Sequence, residues 1–254
     1  MKKNLLKVSA LTLALALPCF SAWADKYEIY PVPRSITMSN GTLALTQKVN
    51  VQCESTIDKI TRNRLASLLQ AHGMEAVFGG SEEGAISLRL GTVGSGEDVE
   101  TWAFGELGLA KAKIMVSKKF DRHAISVSDK GITILGEHTN AVFCGLASLE
   151  QMLEQQVEGA LEHTTIYDRA DQQNRGLVEG YYGYPYSVEV KKELMRYMMR
   201  YKMNTYMFGA KSDPYHSQMW KDAYPTTISE EQEKNGWLTQ NMLRDLAKVS
   251  EETK

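Results

Sequence analysis

The sequence predicts an α/β protein, in which an N-terminal α/β sandwich is followed by the first strand–helix–strand unit of a parallel sheet. Three observations predict this class. Short alternating apolar runs recur through the first half of the chain, and two stretches there carry apolar residues at helical spacing. Residues 175–208 then match a strand, a helix and a second strand, which is the order of elements in a βαβ unit.

Residues 1–24 are predicted to be a secretory signal peptide rather than part of the fold. Three lysines within the first seven residues precede an apolar run, residues 8–17, that is too short to span a bilayer. Ala22-Trp23-Ala24 is a small-x-small cleavage site. A transmembrane anchor is the alternative, and the length of the run disfavours it. We therefore expect an exported chain, periplasmic or secreted, whose mature form does not insert into a membrane.

The charged residues give no indication of nucleic-acid binding, and the cysteines and histidines give none of a metal site. Loss of the three lysines in residues 1–24 would change the formal net charge from −2 to −5, and we find no clustered Lys and Arg to bind nucleic acid. Cys53 and Cys144 could pair in an oxidising compartment or stay buried as free thiols, and the sequence leaves both open. No metal or other cofactor is predicted, because the histidines of the first domain fall at no metal-ligand spacing. They are His72, His123, His138 and His163.

The first domain, residues 25–171, is predicted to be built mainly from short strands. An Asp129-Lys130-Gly131 turn joins residues 124–127 to residues 132–135 in a hairpin. Glycines and acidic residues make residues 91–106 a predicted surface loop. The other predicted strands are residues 27–30, 42–45, 48–52, 86–90 and 164–167.

Two helices are predicted within this first domain. Ser55 or Thr56 would cap the first helix, which ends at Gly73. Thr139 or Asn140 would cap the second. Both helices carry apolar residues at helical spacing, so each is expected to pack one face on the sheet.

The second domain, residues 174–254, is predicted to begin with strand 176–180, a helix capped by Ser187, and strand 204–208. A further helix covers residues 239–249. The apolar face of the first helix is predicted to consist of Val190, Leu194, Tyr197, Met198 and Tyr201, with lysines and arginines opposite. This order begins a parallel sheet or a (β/α)₈ barrel, but a whole barrel needs about 250 residues. The segment is therefore either a small open α/β piece or an incomplete copy of something longer.

Two motifs in this second domain resemble a known family. RGLVEGYYG (residues 175–183) and NTYMFGAKSDPYH (residues 204–216) are similar to the start of the catalytic barrel of family 84 glycoside hydrolases. These are β-N-acetylglucosaminidases that include the O-GlcNAcases and bacterial hyaluronidase-like enzymes. YPVP (residues 30–33) and GEHTNAVFCGLASLEQML (residues 136–153) resemble the N-terminal α/β domain that they share with family 20 hexosaminidases. The resemblance implies the first βα units of an incomplete (β/α)₈ barrel after a hexosaminidase-type domain.

The resemblance also implies two residues that bind substrate. The glycine of the family's first motif falls on Gly180 and the lysine of its second on Lys211, and both line the pocket for a terminal N-acetylglucosamine. A glycine lets a sugar lie against the backbone, and an ammonium group offers three donors to hydroxyl oxygens. Without the resemblance, Gly180 would be an ordinary strand-end turn and Lys211 a solvated loop residue.

Two further residues are weaker candidates. Tyr182 packs against the protein or stacks on a sugar, and both remain open. Asp213, before Pro214, suits a turn as well as a substrate contact. The family commonly has Ala-Pro-Lys-Asp-Asp where this chain has Gly-Ala-Lys-Ser-Asp at residues 209–213, so the shape of this loop is expected to differ.

No catalytic residue is predicted in this chain. The family uses two adjacent aspartates, whereas the sequence contains no Asp-Asp pair, and the positions expected for them lie beyond Lys254. Glu179 is expected to be a strand residue with a structural hydrogen bond. The resemblance thus implies a retaining, substrate-assisted β-N-acetylglucosaminidase, a glycan or glycoprotein partner, and a chain that is inactive alone. The alternative is a non-catalytic glycan-binding or adaptor protein.

Overall fold

The computed structural model describes residues 27–179, 186–207 and 240–254. The predicted signal peptide lies outside these residues. The strands are β1 (Ser35–Ala44), β2 (Lys48–Cys53), β3 (Glu75–Phe78), β4 (Ile86–Thr92), β5 (Phe120–Ser128), β6 (Gly131–Gly136), β7 (Ala160–Ala170), β8 (Gly176–Val178) and β9 (Thr205–Met207). The helices are α1 (Lys59–Ala71), α2 (Asp98–Gly105), α3 (Lys111–Ile114), α4 (Thr139–Glu154), α5 (Val188–Arg200) and α6 (Gln240–Thr253).

Seven strands form one mixed sheet in the order β1-β7-β5-β6-β4-β2-β3. Strands β6, β4, β2 and β3 run parallel, and β5, β7 and β1 complete the sheet with antiparallel pairings. Successive residues of a strand face opposite sides. In β6, Ile134 joins the apolar cluster that includes α1 and α4, whereas Leu135 joins the cluster that includes α2 and α3. Helices therefore cover both faces, and the predicted α/β sandwich is confirmed.

The predicted hairpin is also confirmed. β5 and β6 pair antiparallel from His123 opposite Gly136 to Ser128 opposite Gly131. Gly131 has a φ of +101°, in the region that L side chains rarely adopt. The glycine of the turn is therefore required by the backbone of the hairpin.

Both predicted helices of the first region are confirmed as α1 and α4, but their predicted caps are wrong. Asp58 caps α1, because its Oδ1 accepts a hydrogen bond from the Thr61 N–H at 2.8 Å. His138 caps α4, where its Nδ1 accepts from the Ala141 N–H at 3.2 Å. Thr139 was predicted as a cap, but its hydroxyl accepts from the Asp58 N–H at 3.2 Å. A contact between the two helices thus takes the hydroxyl that local sequence would assign to a cap.

The strand predicted at residues 27–30 does not form. Its backbone groups bond to glutamine side chains of α4 and its C-cap instead of to a neighbouring strand. Gln151 accepts from the Tyr30 N–H at 2.8 Å and donates to the Tyr30 carbonyl at 2.9 Å. Gln155 makes the equivalent pair of bonds with Glu28. Each amide side chain supplies one acceptor and one donor, as a strand partner would.

The loop predicted at residues 91–106 is wrong over half its length, because α2 forms there. The Glu54 carboxylate accepts the Glu100 N–H and the Thr92 N–H, both at 2.7 Å. In turn, the Glu100 carboxylate accepts the N–H groups of Gly94 and Gly96 at 2.6 and 2.8 Å. The first turn of α2 is therefore stabilised by a carboxylate that is 46 residues away in sequence.

The second region begins with the predicted βαβ order. β8 and β9 pair in parallel, Gly176 with Thr205 through Val178 with Met207, and α5 connects them. Ser187 caps α5 as predicted, accepting from the Val190 N–H at 3.3 Å. Helix α6 packs against α5 and α1. Within the described residues this region has a two-stranded sheet and no closed barrel.

The predicted apolar face of α5 is partly wrong. Val190 and Tyr197 are exposed, at 38% and 56%, whereas Met198 is buried as expected. Lys191, which was predicted on the charged side, is completely buried. The reason is a buried carboxylate, Glu179, that pairs with Lys191.

Candidate functional site

A buried polar cluster lies where β8 and β9 end. Glu179 directly follows β8 and is 6% exposed. Its carboxylate forms an ion pair with Lys191 Nζ of α5 and accepts a hydrogen bond from the Tyr206 hydroxyl of β9 at 2.7 Å. A buried carboxylate is tolerated when a cation and hydrogen-bond donors surround it. The cluster therefore joins two strands and the helix that connects them.

This cluster has a structural role. The pKa of Tyr206 is raised by burial first, and then by its hydrogen bond to Glu179 and the negative charge of that carboxylate. Tyr206 thus remains a protonated donor, and Glu179 faces a lysine rather than solvent. The predicted hydrogen bond of Glu179 is confirmed, but Glu179 directly follows β8 instead of lying within the strand.

The two strand ends emerge side by side. The Glu179 N–H donates to the Met207 carbonyl at 2.9 Å, which extends the β8–β9 ladder by one residue. The next residue after Glu179 is Gly180, and Lys211 follows Met207 by four residues. In α/β barrels, the loops at the carboxyl ends of parallel strands carry the substrate site.

The predicted substrate-binding residues themselves lie outside the described residues. These are Gly180, Lys211, Tyr182 and Asp213. The described part of the chain brings together the two strand ends from which the first two residues follow. The substrate contacts of all four residues remain predictions.

One ion pair and two hydrogen bonds of Arg175 hold the start of β8. Arg175 donates to Asp121 Oδ2 at 2.5 Å and to the Lys202 carbonyl at 2.9 Å. The Asn204 side chain accepts from the Arg175 N–H at 2.9 Å. Because Asp121 belongs to β5, this arginine ties the seven-stranded sheet to the start of the two-stranded one.

A second ion pair, between Lys202 and Asp168, is more deeply buried than the Arg175–Asp121 pair. Lys202 Nζ bonds to Asp168 Oδ2 at 2.7 Å, and both side chains are less than a tenth exposed. Burial alone would raise the pKa of Asp168, but the charge of Lys202 and the hydrogen bond from Lys202 lower it below the ordinary aspartate value. The pKa of His123 is lowered, chiefly by its complete burial. The imidazole is therefore neutral, and its Nδ1 lies 2.7 Å from the Asp121 carbonyl.

Replacement of Asp168 by asparagine is expected to flatten the acid dependence of stability. Because the pKa of Asp168 is lowered in the folded state, its stabilising effect is present above the ordinary aspartate pKa of about 4 and is lost as the pH falls below it. Urea unfolding at pH 5 and pH 3 should show a smaller loss of unfolding free energy in the Asp168→Asn variant than in the wild type.

The matched control for this experiment is Asp245→Asn, which removes an exposed carboxylate of α6. Its loss of stability between the two pH values should equal that of the wild type. An Asp168→Asn variant as acid-sensitive as the wild type would contradict the importance of the Lys202–Asp168 pair.

Sequence reasoning missed the residues that hold this junction. Asp121, Asp168, Arg175 and Lys202 are separated by up to 81 positions, and none belongs to a local motif that predicts an ion pair. Lys191 was missed for a different reason, because helical periodicity places a lysine on the solvent side. Only the partner Glu179, a carboxylate at the end of an apolar strand, could have indicated a buried cation.

The two thiols in the described part of the chain are neither paired nor ionised. Cys53 and Cys144 are both free, and burial raises their pKa values to about 11 and about 12. Both therefore remain protonated thiols at neutral pH. Within residues 27–179, 186–207 and 240–254, no group of three His, Cys, Asp or Glu side chains is arranged to hold a metal ion.

None of the helices in the described part of the chain is long and apolar enough to cross a bilayer.

Two family models match the chain in succession. Residues 26–169 match glycosyl hydrolase family 20, domain 2, and residues 175–235 match the NAGidase model, described as beta-N-acetylglucosaminidase. Because the first match covers more than half of the chain, the protein belongs to the glycosyl hydrolase family 20 domain 2 family. The hexosaminidase-type N-terminal domain implied by the sequence is thereby confirmed.

Individual relatives agree with these matches. Protein O-GlcNAcase of Rattus norvegicus is 38% identical over 56 residues, which are 22% of this chain and 6% of that protein. The solved structure of CpGH84D is 29% identical with a TM-score of 0.73, over 91% of this chain and 36% of the other. The predicted resemblance to a family 84 N-acetylglucosaminidase is confirmed.

A family 20 structure shares the fold alone. The GH20 exo-β-N-acetylglucosaminidase of Vibrio harveyi, as its D437A inactive mutant, is 17% identical with a TM-score of 0.62, over 89% of this chain and 34% of the other. This chain thus spans about a third of the length of the solved relatives and a small fraction of the curated one.

Proposed function

We propose that this chain recognises a terminal N-acetylglucosamine of a glycoconjugate, with Gly180 and Lys211 as its sugar contacts. The observation that carries the proposal is the parallel pairing of β8 and β9 up to Glu179 and Met207. The two sequence motifs therefore continue from neighbouring strand ends. Tyr182 and Asp213 belong to the same two motifs and are proposed as weaker contacts.

The associated reaction is retaining hydrolysis by substrate assistance. The acetamido oxygen of the sugar attacks the anomeric carbon as one carboxylate accepts the acetamido N–H proton, so that an oxazoline forms, and the leaving oxygen takes a proton from a second carboxylic acid. Water then attacks the anomeric carbon as the second carboxylate accepts one of its protons, and the nitrogen of the opening oxazoline regains its proton from the first. Two carboxyl groups are needed, one to orient the acetamido group and one to move protons.

We propose that these 254 residues bind the sugar without cleaving it. No two aspartates are adjacent in the sequence. Glu179 is held by Lys191 and Tyr206 and is therefore not a substitute acid. A non-catalytic glycan-binding or adaptor role is the second candidate, and the same absence of an Asp-Asp pair favours it.

Replacement of Lys211 by alanine is expected to weaken binding of N-acetylglucosamine by about tenfold or more, because a charged donor to the sugar hydroxyls is lost. Saturation-transfer NMR of the full chain with the free sugar measures this directly. Lys248→Ala is the matched control, since Lys248 is an exposed lysine of α6 with 72% of its side chain accessible. Equal binding by the Lys211→Ala variant and the wild type would refute the proposed contact.

The domain division and the export of the chain are also proposals. We infer that residues 25–171 and 174–254 are separate domains and that residues 1–24 are removed on export. The family models support the first inference, since they match residues 26–169 and 175–235. Amino-terminal sequencing of exported protein should begin at Asp25, and an intact Met1 would contradict cleavage.

A further inference from the structure

A cavity lies on the seven-stranded sheet, at its β3 edge. It has a volume of about 620 Å³ and is bordered by the carboxyl ends of β2 and β3, the middle of β4 and the first turn of α1. Small-molecule pockets commonly have volumes of about 300–1,000 Å³. In the order β4-β2-β3, the chain passes from β2 to β3 on one side of β2. It then passes from β3 to β4, which lies on the opposite side of β2. Ligands bind outside strand ends at such a reversal of strand order.

The charge of this cavity is uncompensated. Arg62 and Arg89 both line it, and none of its described lining residues is acidic. Among the described residues, no carboxylate lies within ion-pair distance of either guanidinium. The pKa of Arg89 is lowered by burial, with no opposing contribution from an acidic partner. Among the described residues, the two partly buried guanidinium groups therefore share one cavity without a carboxylate partner.

Both arginines are held in place by groups that leave their charge available. Arg62 donates from Nε to the Ile57 carbonyl at 3.0 Å and from Nη2 to the Glu54 carbonyl at 3.1 Å. Arg89 donates from Nη1 to the Lys130 carbonyl at 3.0 Å, and its guanidinium lies 4.4 Å from the centre of the Trp102 ring. Main-chain carbonyls and an aromatic face orient the two cations without neutralising them. A positioned guanidinium offers paired N–H donors that match an oxyanion.

The other residues that line the cavity supply hydroxyl groups, open space and an aromatic ring. Ser81 and Ser87 supply hydroxyl groups, and Gly79 and Gly80 keep side chains away from this end of β3. Phe78 is 45% exposed at the same place. An aromatic ring beside hydroxyl and cationic donors suits a sugar ring that carries a negative group.

We propose that this cavity binds an oxyanion, a phosphate, sulfate or carboxylate group, between Arg62 and Arg89. The group is either a free anion or part of an anionic sugar. The site is built from residues of the seven-stranded sheet and α1, and it is independent of the proposed N-acetylglucosamine contacts at the ends of β8 and β9.

The test is titration of the full chain with sodium sulfate, inorganic phosphate, acetate and glucose 6-phosphate at constant ionic strength, adjusted with sodium chloride. Arginine Nε–Hε resonances report binding. Saturable shifts of the Arg62 and Arg89 signals are expected with at least one oxyanion and not with chloride. Their absence with every oxyanion would overturn the proposal, and this measurement on the wild type needs no variant to fold.

Single arginine substitutions test whether the anion binds at this cavity. Arg62→Gln and Arg89→Gln should each weaken oxyanion binding by about tenfold, because each removes a charge-assisted hydrogen bond. Arg244→Gln, at an exposed position of α6, should bind as the wild type does. Unchanged affinity in folded Arg62→Gln and Arg89→Gln proteins would contradict the assignment.

Phe78→Ala distinguishes the two sources of the anion. It should weaken binding of glucose 6-phosphate and leave phosphate unaffected if the anion is carried on a sugar. Equal effects on both ligands would assign the site to the free anion.

Discussion

Replacement of Lys191 by methionine is expected to lower the free energy of unfolding by about 3–5 kcal/mol. Lys191 is completely buried and forms an ion pair with Glu179, which is itself 6% exposed. Methionine fills a similar volume but removes the cation. The Glu179 carboxylate would then stay buried without its lysine, although it keeps the hydrogen bond from Tyr206. Breaking one side of a buried pair is far more destabilising than losing a surface pair.

Lys192→Met is the matched control for this variant. Lys192 is the next residue of α5 and pairs with the exposed Glu189 at 3.1 Å. Its loss should change the unfolding free energy by less than about 0.5 kcal/mol. Urea unfolding followed by circular dichroism compares the two variants. A Lys191→Met variant as stable as Lys192→Met would show that the buried pair contributes little.

A double variant separates the contribution of the ion pair to stability from that of side-chain packing. Glu179→Gln with Lys191→Met removes both charges, so it should lose less stability than the sum of the two single variants. Strict additivity would mean that the two side chains act independently, contrary to their contact.

Replacement of Gly131 by alanine is expected to destabilise the chain by about 2–4 kcal/mol. A Cβ atom at this position would lie 2.2 Å from the carbonyl oxygen of Ser87, a main-chain atom of β4 that cannot rotate away. The φ of +101° adds backbone strain for any L side chain. Both effects fall on the start of β6, in the middle of the seven-stranded sheet.

Gly73→Ala separates strain from steric conflict in this prediction. Gly73 follows the C-cap of α1 with a φ of +73°, and a Cβ there would meet nothing within 4 Å. It should therefore show the backbone strain alone, about 1–2 kcal/mol. Thermal unfolding of both variants measures the difference. If Gly131→Ala is no worse than Gly73→Ala, the close approach of Ser87 is relieved at little cost.

Sequence patterns predicted most of the elements because their signals are local. The hairpin follows from the Asp-Lys-Gly turn at residues 129–131, and α5 follows from Ser187 and helical periodicity. The failures arise where a distant side chain replaces a local one. Glu54 stabilises the start of α2 from 46 residues away, and Gln151 bonds the segment that was predicted as a strand.

Contacts between distant residues also limited the prediction of the candidate site. Motif spacing predicted Gly180 and Lys211, but nothing local predicted that Lys191 is buried against Glu179. Nor could the sequence show that Arg175 and Lys202 bond to Asp121 and Asp168 across the junction of the two sheets. Ion pairs between distant residues depend on tertiary packing, which short patterns do not contain.

We propose that the chain recognises N-acetylglucosamine but does not cleave its glycosidic bond. The most direct test is incubation of the purified full chain with a chromogenic β-N-acetylglucosaminide, with release of the chromophore followed over time. We expect no release above the protein-free blank at substrate concentrations where saturation-transfer NMR detects bound sugar. Hydrolysis that persists through purification and disappears in the Lys211→Ala variant would contradict the claim, because it would require a catalytic acid within these 254 residues.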